Sequence, residues 1–306
     1  MYDLAIIGGG PAAVSAGVYA ARKKLKTVLI TKDFESQSVV SSDVQNWIGT
    51  ISLSGMELSE NLRKHLEAYA KDSVTIKAGE TALGIQKNGD SFKIKTSKEE
   101  YESKTILIAS GSQRRKLTVL GAEEFENKGI TYCASCDGPL FSDRDVVVIG
   151  GGNAAFETAA QLLAYTKSVT LLNRSDKFRA DAVTVEKVLK NPKMKAVKNI
   201  EFVEIKGDKF VKSIVYKDLS SNEIVELPTD GIFVEIGLVP NTDYVSDFIK
   251  LDEIKRIPID PRTQKTEIPG VWAAGDCTDV KYHQNNIAAG DGVRALEDIY
   301  IHLHAR

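Results

Sequence analysis

Residues 2–31 read YDLAIIGGGPAAVSAGVYAARKKLKTVLIT, and this stretch decides the fold. An apolar segment at 2–7 predicts a β-strand, three glycines at 8–10 predict a tight turn, and the alanine-rich segment after them predicts a helix. A second apolar segment, TVLIT at 27–31, predicts another strand. Strand, glycine turn, helix and strand in this order form one βαβ unit of the kind that binds nucleotides.

The same pattern occurs a second time. It consists of DVVVI at 145–149, three glycines at 150–152, an alanine-rich helical segment ending near Leu163, and SVTLLN at 168–173. Each copy is followed by segments in which apolar and polar residues alternate, and these predict strands joined by turns. At about 150 residues per domain, a chain of 306 residues has room for two domains. The sequence therefore predicts an α/β fold with two Rossmann-like nucleotide-binding domains, each with a β-meander.

Each glycine turn has the composition G-x-G-x-x-A. The first glycine, Gly8 or Gly150, permits the sharp turn, and the second, Gly10 or Gly152, lets the backbone approach a pyrophosphate. The phosphates then lie at the N-terminus of the helix that follows. A purely structural turn is the alternative for either copy taken alone. Two copies in the same strand–helix context favour two bound nucleotides.

Composition and charge exclude several functional classes. The chain has 40 Lys and Arg against 42 Asp and Glu, a formal net charge of −2, and 42% apolar residues, which is typical of a globular protein. No dense basic segment is present, so we expect no nucleic-acid partner. No apolar run approaches the ~20 residues of a membrane helix, so we expect no membrane partner. The first strand begins at Tyr2 and leaves no room for an export signal, which predicts a cytoplasmic location.

Two of the three cysteines are spaced as C-x-x-C. In a cytoplasmic protein, Cys133 and Cys136 indicate either redox chemistry or half of a metal site. A zinc site needs two more ligands, and neither Cys277 nor the four histidines form a second paired motif, so we predict no metal. Two buried packing thiols are the alternative for the pair. Cys277 has no neighbouring cysteine, and packing of a small side chain is its favoured role.

Seven short motifs together resemble the low-molecular-weight thioredoxin reductases and the C-terminal part of the flavoprotein subunits of alkyl hydroperoxide reductase. The resemblance covers essentially the whole chain, and C-x-x-C-D-G just before the second glycine turn is its most specific part. The motifs are GGGPAA at 8–13, NWIG at 46–49, ASG at 109–111, TYCASCDGPLF at 131–141, GGGNAAFE at 150–157, IGLVPNT at 236–242 and AAGDCT at 273–278.

The resemblance implies how the chain is divided. An FAD-binding domain would comprise residues 1–113 and 238–306. An NAD(P)H-binding domain, residues 114–237, would be inserted into it and would carry the C-x-x-C pair. The resemblance also implies a homodimer.

The resemblance further implies an activity. Electrons would pass from NADPH through FAD and the Cys133–Cys136 disulfide to thioredoxin or a thioredoxin-like protein. Cys136 would face the flavin, Cys133 would attack the partner's disulfide, and Asp137 would move the proton that the leaving thiol needs. A helix cap is the alternative role for Asp137.

By the same resemblance, the FAD contacts fall in four places: the first glycine turn, the end of the second strand and its loop, the ASG motif, and the segment around the last helix start. Glu35-Ser36 replaces a Gly-Gly pair of the family, which predicts a changed loop before Gln37. His283 and Asn285 stand where Arg and Ala are common, which predicts an altered flavin potential. The implied contacts are Gly8, Gly10, Pro11, Ala12, Ala13, Thr31, Gln37, Asn46, Ala109, Gly111, Gly275, Asp276, His283, Gln284 and Asn285.

The implied pyridine-nucleotide contacts lie at the second glycine turn and after the strand that ends at Asn173. NADPH enzymes of this family resemble H-R-R-D-x-x-R here, with arginines that bind the 2′-phosphate. This chain reads NRSDKFR at 173–179, so Ser175 replaces the middle arginine. NADPH is therefore favoured, and NADH stays possible. The implied contacts are Gly150, Gly152, Asn153, Ala154, Ala155, Arg174 and Arg179.

Two other functions are compatible with much of this pattern. A flavin-dependent dithiol oxidase, or a reductase with a donor or acceptor other than NADPH, would keep the same cysteine pair. A non-catalytic nucleotide sensor would need no cysteine pair, so Cys133 and Cys136 speak against it. Arg174 and Arg179 speak against the oxidase, which does not require NADPH.

Overall fold

The computed structural model describes residues 1–41 and 43–304; residue 42 and residues 305 and 306, which end the predicted flavin domain, lie outside the described residues. The chain divides into two compact units. Unit 1 comprises Met1–Gln113 and the chain from Val239 onward, and unit 2 comprises Arg114–Leu238. Leu238, which the sequence assigns to the flavin domain, therefore belongs to unit 2.

The first part of unit 1 alternates strands and helices and then forms a meander. A short 3-10 helix, Gln37–Val40, follows the second strand. The elements are β1 (Tyr2–Ile7), α1 (Pro11–Arg22), β2 (Thr27–Thr31), α2 (Gly55–Ala70), β3 (Val74–Ala78), β4 (Ala82–Asn88), β5 (Ser91–Thr96), β6 (Glu100–Ile108) and β7 (Ser112–Arg114), the last of which ends in unit 2.

Unit 2 repeats this plan. A 3-10 helix, Gly138–Phe141, follows its first short helix. The elements are β8 (Ile130–Thr131), α3 (Ala134–Asp137), β9 (Asp145–Ile149), α4 (Asn153–Leu162), β10 (Ser168–Asn173), α5 (Ala182–Leu189), β11 (Met194–Lys198), β12 (Ile200–Gly207), β13 (Val211–Asp218), β14 (Ile224–Pro228) and β15 (Gly231–Val234).

The chain then returns to unit 1. β16 (Leu238–Pro240) pairs with β7 as a two-stranded sheet, and a 3-10 helix at Asp243–Val245, β17 (Val271–Ala273) and α6 (Asn285–His304) follow. None of the helices in residues 1–41 and 43–304 is long and apolar enough to cross a membrane.

The main sheet of unit 1 has the order β3-β2-β1-β6-β5-β4, with β17 also paired to β6. β1, β2, β3, β17 and part of β6 run parallel, while β4, β5 and β6 form an antiparallel meander. The alternating pattern at 74–78 predicts a meander strand, but β3 is a parallel strand. It alternates because it lies at the sheet edge, where one face is exposed.

Helices α1 and α6 of unit 1 cross at close range. A Cβ atom on Gly292 of α6 would lie 2.1 Å from the carbonyl oxygen of Ala12, so only glycine fits there. Ser15 of α1 donates to the carbonyl of Ala289 at 2.8 Å and fixes the crossing. The alanine-rich composition of α1 therefore serves a packed helix pair as well as the glycine turn before it.

The sheet of unit 2 has the order β11-β10-β9-β15-β8 and is parallel throughout. One face packs on α4, with Val146, Val148, Phe156 and Phe233 in its core. The other face packs on the antiparallel sheet β12-β13-β14, with Ile149 and Ile214 among the buried residues. The predicted fold class is confirmed: the chain is an α/β protein with two Rossmann-like units, each with a β-meander.

Candidate active site

The glycine turn of unit 1 leaves the start of α1 open. Gly8 has φ of 137°, and a Cβ atom there would lie 2.1 Å from the carbonyl oxygen of Ala109. Gly10 is the N-cap of α1, makes no side-chain cap, and would carry a Cβ atom with no heavy atom within 4 Å. Pro11 is the first helical residue, and Ala12 and Ala13 are buried behind it. The uncapped helix N-terminus with a bare approach fits a pyrophosphate.

Other predicted FAD contacts of unit 1 border this turn. Gly275, with φ of 74°, places its Cα where a Cβ atom would lie 3.2 Å from the Cβ of Ala12. Gly111, with φ of 66°, ends the loop after β6. The Thr31 hydroxyl donates to the carbonyl of Asp33, so in this structure it closes the turn after β2.

Gln37 and Asp276 form the centre of a polar cluster in unit 1. The Gln37 amide donates to Asp276 Oδ2 and to Ser112 Oγ, both at 3.1 Å. His283 Nδ1 lies 3.3 Å from Asp276 Oδ1 without the alignment of a hydrogen bond. This cluster offers amide donors and a carboxylate acceptor, which fit the hydroxyls of a ribityl chain and the edge of a flavin ring.

The segment before α6 is tied to the loop after β2 by three further contacts. Asn46 Nδ2 donates to Gln284 Oε1 at 3.2 Å, and Asn285 Nδ2 donates to Ser38 Oγ at 2.8 Å. Asn286 Nδ2 donates to the carbonyl of Asn46 at 2.6 Å. The sequence missed Asn286, Ser38 and Ser112, because nothing in their local pattern differs from ordinary loop residues.

The departure at Glu35-Ser36 gives a capped turn. The Ser36 hydroxyl accepts from the Ser38 amide at 3.3 Å and caps the 3-10 helix that begins at Gln37. The serine thereby helps to place the Gln37 amide beside Asp276. A serine cap can order this turn where the family's glycine pair would leave it freer.

The cysteine pair lies at the start of α3 in unit 2. Cys133 and Cys136 form a disulfide, with 5.3 Å between their Cα atoms, and both are half-buried. The Cys136 amide donates to Cys133 Sγ at 3.2 Å, so a helix-terminal N–H group faces the sulfur of Cys133. Such a contact stabilises a thiolate at that sulfur after reduction.

Asp137 lies at the other end of this short helix. The Thr131 hydroxyl donates to Asp137 Oδ2, and the Cys133 amide approaches Thr131 Oγ1 at 3.4 Å. Thr131 therefore connects the acid to the backbone of the cysteine pair. The sequence analysis did not select Thr131, although it stands inside the C-x-x-C motif region.

The glycine turn of unit 2 repeats the geometry of unit 1. Gly150 has φ of 149°, and Gly152 is an N-cap of α4 with no side-chain cap and no heavy atom within 4 Å of a would-be Cβ. Ala155 is buried behind the turn, and Ala154 is exposed at the start of α4. This second uncapped helix start fits the pyrophosphate of a dinucleotide equally well.

The loop after β10 is fastened to this turn. The Arg179 amide donates to the carbonyl of Gly151 at 2.7 Å, and the Asp181 amide donates to Asn153 Oδ1 at 2.7 Å. Asn173 at the end of β10 donates to the carbonyls of Ser175 and Lys177. Arg174 and Arg179 are exposed, so their guanidinium groups are accessible to a ligand beside the turn.

A carboxyl group that the sequence analysis missed lies beside the same turn. Glu235 follows β15, and its side chain is only 14% exposed. Glu235 Oε1 accepts from Thr158 Oγ1 at 2.9 Å, and Arg114 Nη1 lies 3.8 Å from Oε2. Burial raises the pKa of Glu235 above its usual value, while Arg114 and Thr158 oppose the rise.

Replacing Glu235 should change how stability depends on pH. A raised pKa in the folded state means that the folded chain holds this proton more tightly, so ionisation of Glu235 destabilises it as pH rises through that pKa. Glu235→Gln should therefore raise the thermal midpoint by on the order of 1–2 °C at pH 8. The gain should shrink below about pH 4, because the wild-type carboxyl is protonated there in both states. Calorimetry across this pH range tests it, and a gain that grows toward low pH would contradict the buried-acid assignment.

The site residues thus form one group in each unit: a flavin-type cluster in unit 1, and a glycine turn, basic loop and disulfide in unit 2. Among the described residues, no three His, Cys, Asp or Glu side chains are grouped as metal ligands.

Comparison with known proteins agrees with this geometry. Residues 2–292 match the family model described as pyridine nucleotide-disulphide oxidoreductase. This chain belongs to that family and is an oxidoreductase.

Individual relatives refine the comparison. The chain is 38% identical over 303 residues to an alkyl hydroperoxide reductase of Staphylococcus epidermidis, covering 99% of this chain but only 59% of that protein. It therefore spans less than two thirds of that relative. The thioredoxin reductase of Streptococcus pyogenes superposes with a TM-score of 0.90 at 32% identity, over 100% of this chain and 99% of that one. The thioredoxin reductase of Giardia duodenalis gives a TM-score of 0.91 at 33% identity, over 99% and 98%.

Proposed function

We propose that this chain is an FAD-dependent NAD(P)H:protein-disulfide oxidoreductase of the thioredoxin reductase type. The single observation that carries the proposal is the half-buried Cys133–Cys136 disulfide, which lies in the same unit as an uncapped glycine turn. The likeness to thioredoxin reductases over the full length of both chains supports it.

Unit 1 would hold FAD. The N-terminus of α1, approached over Gly10, would bind the pyrophosphate, and Gln37 and Asp276 would bind the ribityl chain and the ring edge. When bound, FAD and NADPH supply hydride and electron-pair transfer that ends at a disulfide. The residues of unit 1 orient the flavin, and Asn46 and Gln284 fasten the loop over this region.

Unit 2 would hold NADPH. The N-terminus of α4, approached over Gly152, would bind its pyrophosphate, and Arg174 and Arg179 would bind the 2′-phosphate with charge-assisted hydrogen bonds. NADH stays the alternative nucleotide.

The cysteine pair would carry out disulfide exchange. Reduction of the Cys133–Cys136 bond adds two electrons and two protons and gives a dithiol. The Cys133 thiolate then attacks the partner's disulfide, one partner sulfur leaves and takes a proton, and Cys136 displaces the second sulfur to restore the bond. Asp137, hydrogen-bonded by Thr131, is placed to pass that proton, and the amide of Cys136 stabilises the Cys133 thiolate.

The electron acceptor would be thioredoxin or a thioredoxin-like protein. Two half-buried cysteines at a short helix are accessible to a protein disulfide, and the staphylococcal relatives named as alkyl hydroperoxide reductases are consistent with a peroxide-reducing partner system. A homodimer in the cytoplasm is part of the same proposal. Gel filtration with light scattering tests the dimer.

Anaerobic titration of the FAD-loaded protein tests the donor. We expect NADPH to bleach the flavin absorbance at roughly tenfold lower concentration than NADH, because a bound 2′-phosphate adds about 1.4 kcal/mol or more of charge-assisted binding. Arg174→Ala should remove most of this preference, and the exposed Lys187→Ala on α5 should not. Equal effects of Arg174→Ala on both nucleotides would contradict the phosphate role. Bleaching by dithiols but by neither nucleotide would favour the dithiol oxidase.

A further inference from the structure

Lys198 lies beside the basic loop of unit 2, although the family pattern does not include it. Strands β10 and β11 are parallel neighbours, and Asn173 at the end of β10 pairs in register with Lys198 at the end of β11. The family's arginine pair follows β10 directly, and in this chain its second member is Ser175. The carboxyl edge of these parallel strands, where nucleotides bind in such sheets, thus gains a lysine from the next strand.

An aromatic ring places this lysine against the loop. Lys198 Nζ lies 5.4 Å from the centre of the Phe178 ring, within the range of a cation–π contact. Phe178 in turn packs edge-on against the fully buried Phe156 of α4, with 4.9 Å between ring centres. The ammonium group is therefore held over a loop that is itself bonded to Gly151.

The positive charges of this region lack partners within the protein. Lys177 and Lys198 are exposed like Arg174 and Arg179, and no carboxylate of residues 1–41 and 43–304 forms an ion pair with any of the four. Elsewhere in unit 2 exposed lysines do pair, as Lys206 does with Glu226 at 2.8 Å. The strand end carries the neutral Asn173, not the acid that binds the ribose hydroxyls of NAD. The unpaired charge favours an anionic ligand.

We propose that Lys198 is a specificity-determining residue that binds the 2′-phosphate of NADPH in place of the arginine replaced by Ser175. This inference rests on the proposed use of NADPH. Lys198 supplies a cation from the strand next to β10, and Phe178 is the positioning residue for its ammonium group.

Calorimetric titration with nucleotides that cannot transfer a hydride tests the proposal in the full-length protein. The ligands are 2′-phospho-ADP-ribose and ADP-ribose, which differ only by the 2′-phosphate. Lys198→Met, which keeps an apolar stem over Phe178, should weaken binding of the phosphorylated ligand about tenfold and change binding of ADP-ribose less than about twofold. Lys198→Arg should retain most of the affinity. Lys195→Met, an exposed lysine on the same strand, should have no effect.

The outcomes separate the two proposals. If the wild-type protein prefers the 2′-phosphate but Lys198→Met binds both ligands as the wild type does, Lys198 has no such role while NADPH use stands. If the wild-type protein binds both ligands equally, NADPH use fails and takes the role of Lys198 with it. A shallower salt dependence of 2′-phospho-ADP-ribose binding in Lys198→Met, without change for ADP-ribose, supports a direct contact with the phosphate.

Discussion

Cys136→Ser is expected to reduce protein-disulfide reductase turnover by roughly 10³-fold or more, to the level of the uncatalysed reaction. A serine hydroxyl cannot form the disulfide with Cys133 that accepts two electrons, and it cannot displace the mixed disulfide in the second half of exchange. Bleaching of the FAD by NADPH should survive, since that reaction does not use the thiols. Turnover of thioredoxin is measured by NADPH oxidation, and flavin reduction is measured anaerobically by stopped flow.

The neighbouring Ser135→Ala is the matched control for this variant. Ser135 lies in the same helix and donates to Gln161 Oε1 at 3.2 Å, so its loss should change turnover only a few-fold. Thiol counting adds a second check: the unfolded wild-type chain should show one free thiol, Cys277, before reduction and three after it. Near-normal turnover by Cys136→Ser would remove the cysteine pair from the mechanism.

Gly10→Glu should weaken FAD binding by roughly 100-fold or more while the protein still folds. A Cβ atom at Gly10 meets no protein atom within 4 Å, so the substitution clashes with nothing in the chain. The carboxylate would stand at the uncapped N-terminus of α1, where it would occupy the place of the pyrophosphate and repel its charge. Flavin content after purification and fluorescence titration of the apoprotein with FAD measure the effect.

Gly152→Glu is the reciprocal control in unit 2. It should abolish detectable binding of pyridine nucleotides and leave FAD binding within about twofold, because Gly152 has the same geometry at α4. Far-UV circular dichroism and thermal midpoints near the wild-type values establish that both variants fold. Wild-type flavin content in Gly10→Glu would show that α1 does not hold the cofactor.

The elements with long apolar runs could be predicted from the sequence. DVVVI and TVLIT become central parallel strands because burial on both faces requires continuous apolar side chains. The prediction of a meander strand is wrong for β3, because an edge strand of a parallel sheet has the same alternation as an antiparallel one. Local pattern cannot separate these cases, since the difference lies in the neighbouring strand.

The glycine turns and the cysteine pair also carry local signals, and the structure places them at helix starts. Their assigned roles stay predictions. The partners that complete each cluster had no signal: Ser112 reaches Gln37 across 75 positions, and Asn286 reaches Asn46 across 240. Glu235 and Lys198 were missed for the same reason, because register between strands brings them to the glycine turn.

The ends of unit 2 have a consequence for how this protein can be taken apart. The Arg115 amide donates to the carbonyl of Gly237 at 3.0 Å, so the unit is one uninterrupted stretch of chain whose two ends are adjacent. Closing the gap left in unit 1 needs only a short linker between Gln113 and Val239, and a short linker has a small entropy penalty. The gene can therefore be cut into two independently folding modules, and the inserted module can be exchanged for one with different nucleotide preference without redesigning its host.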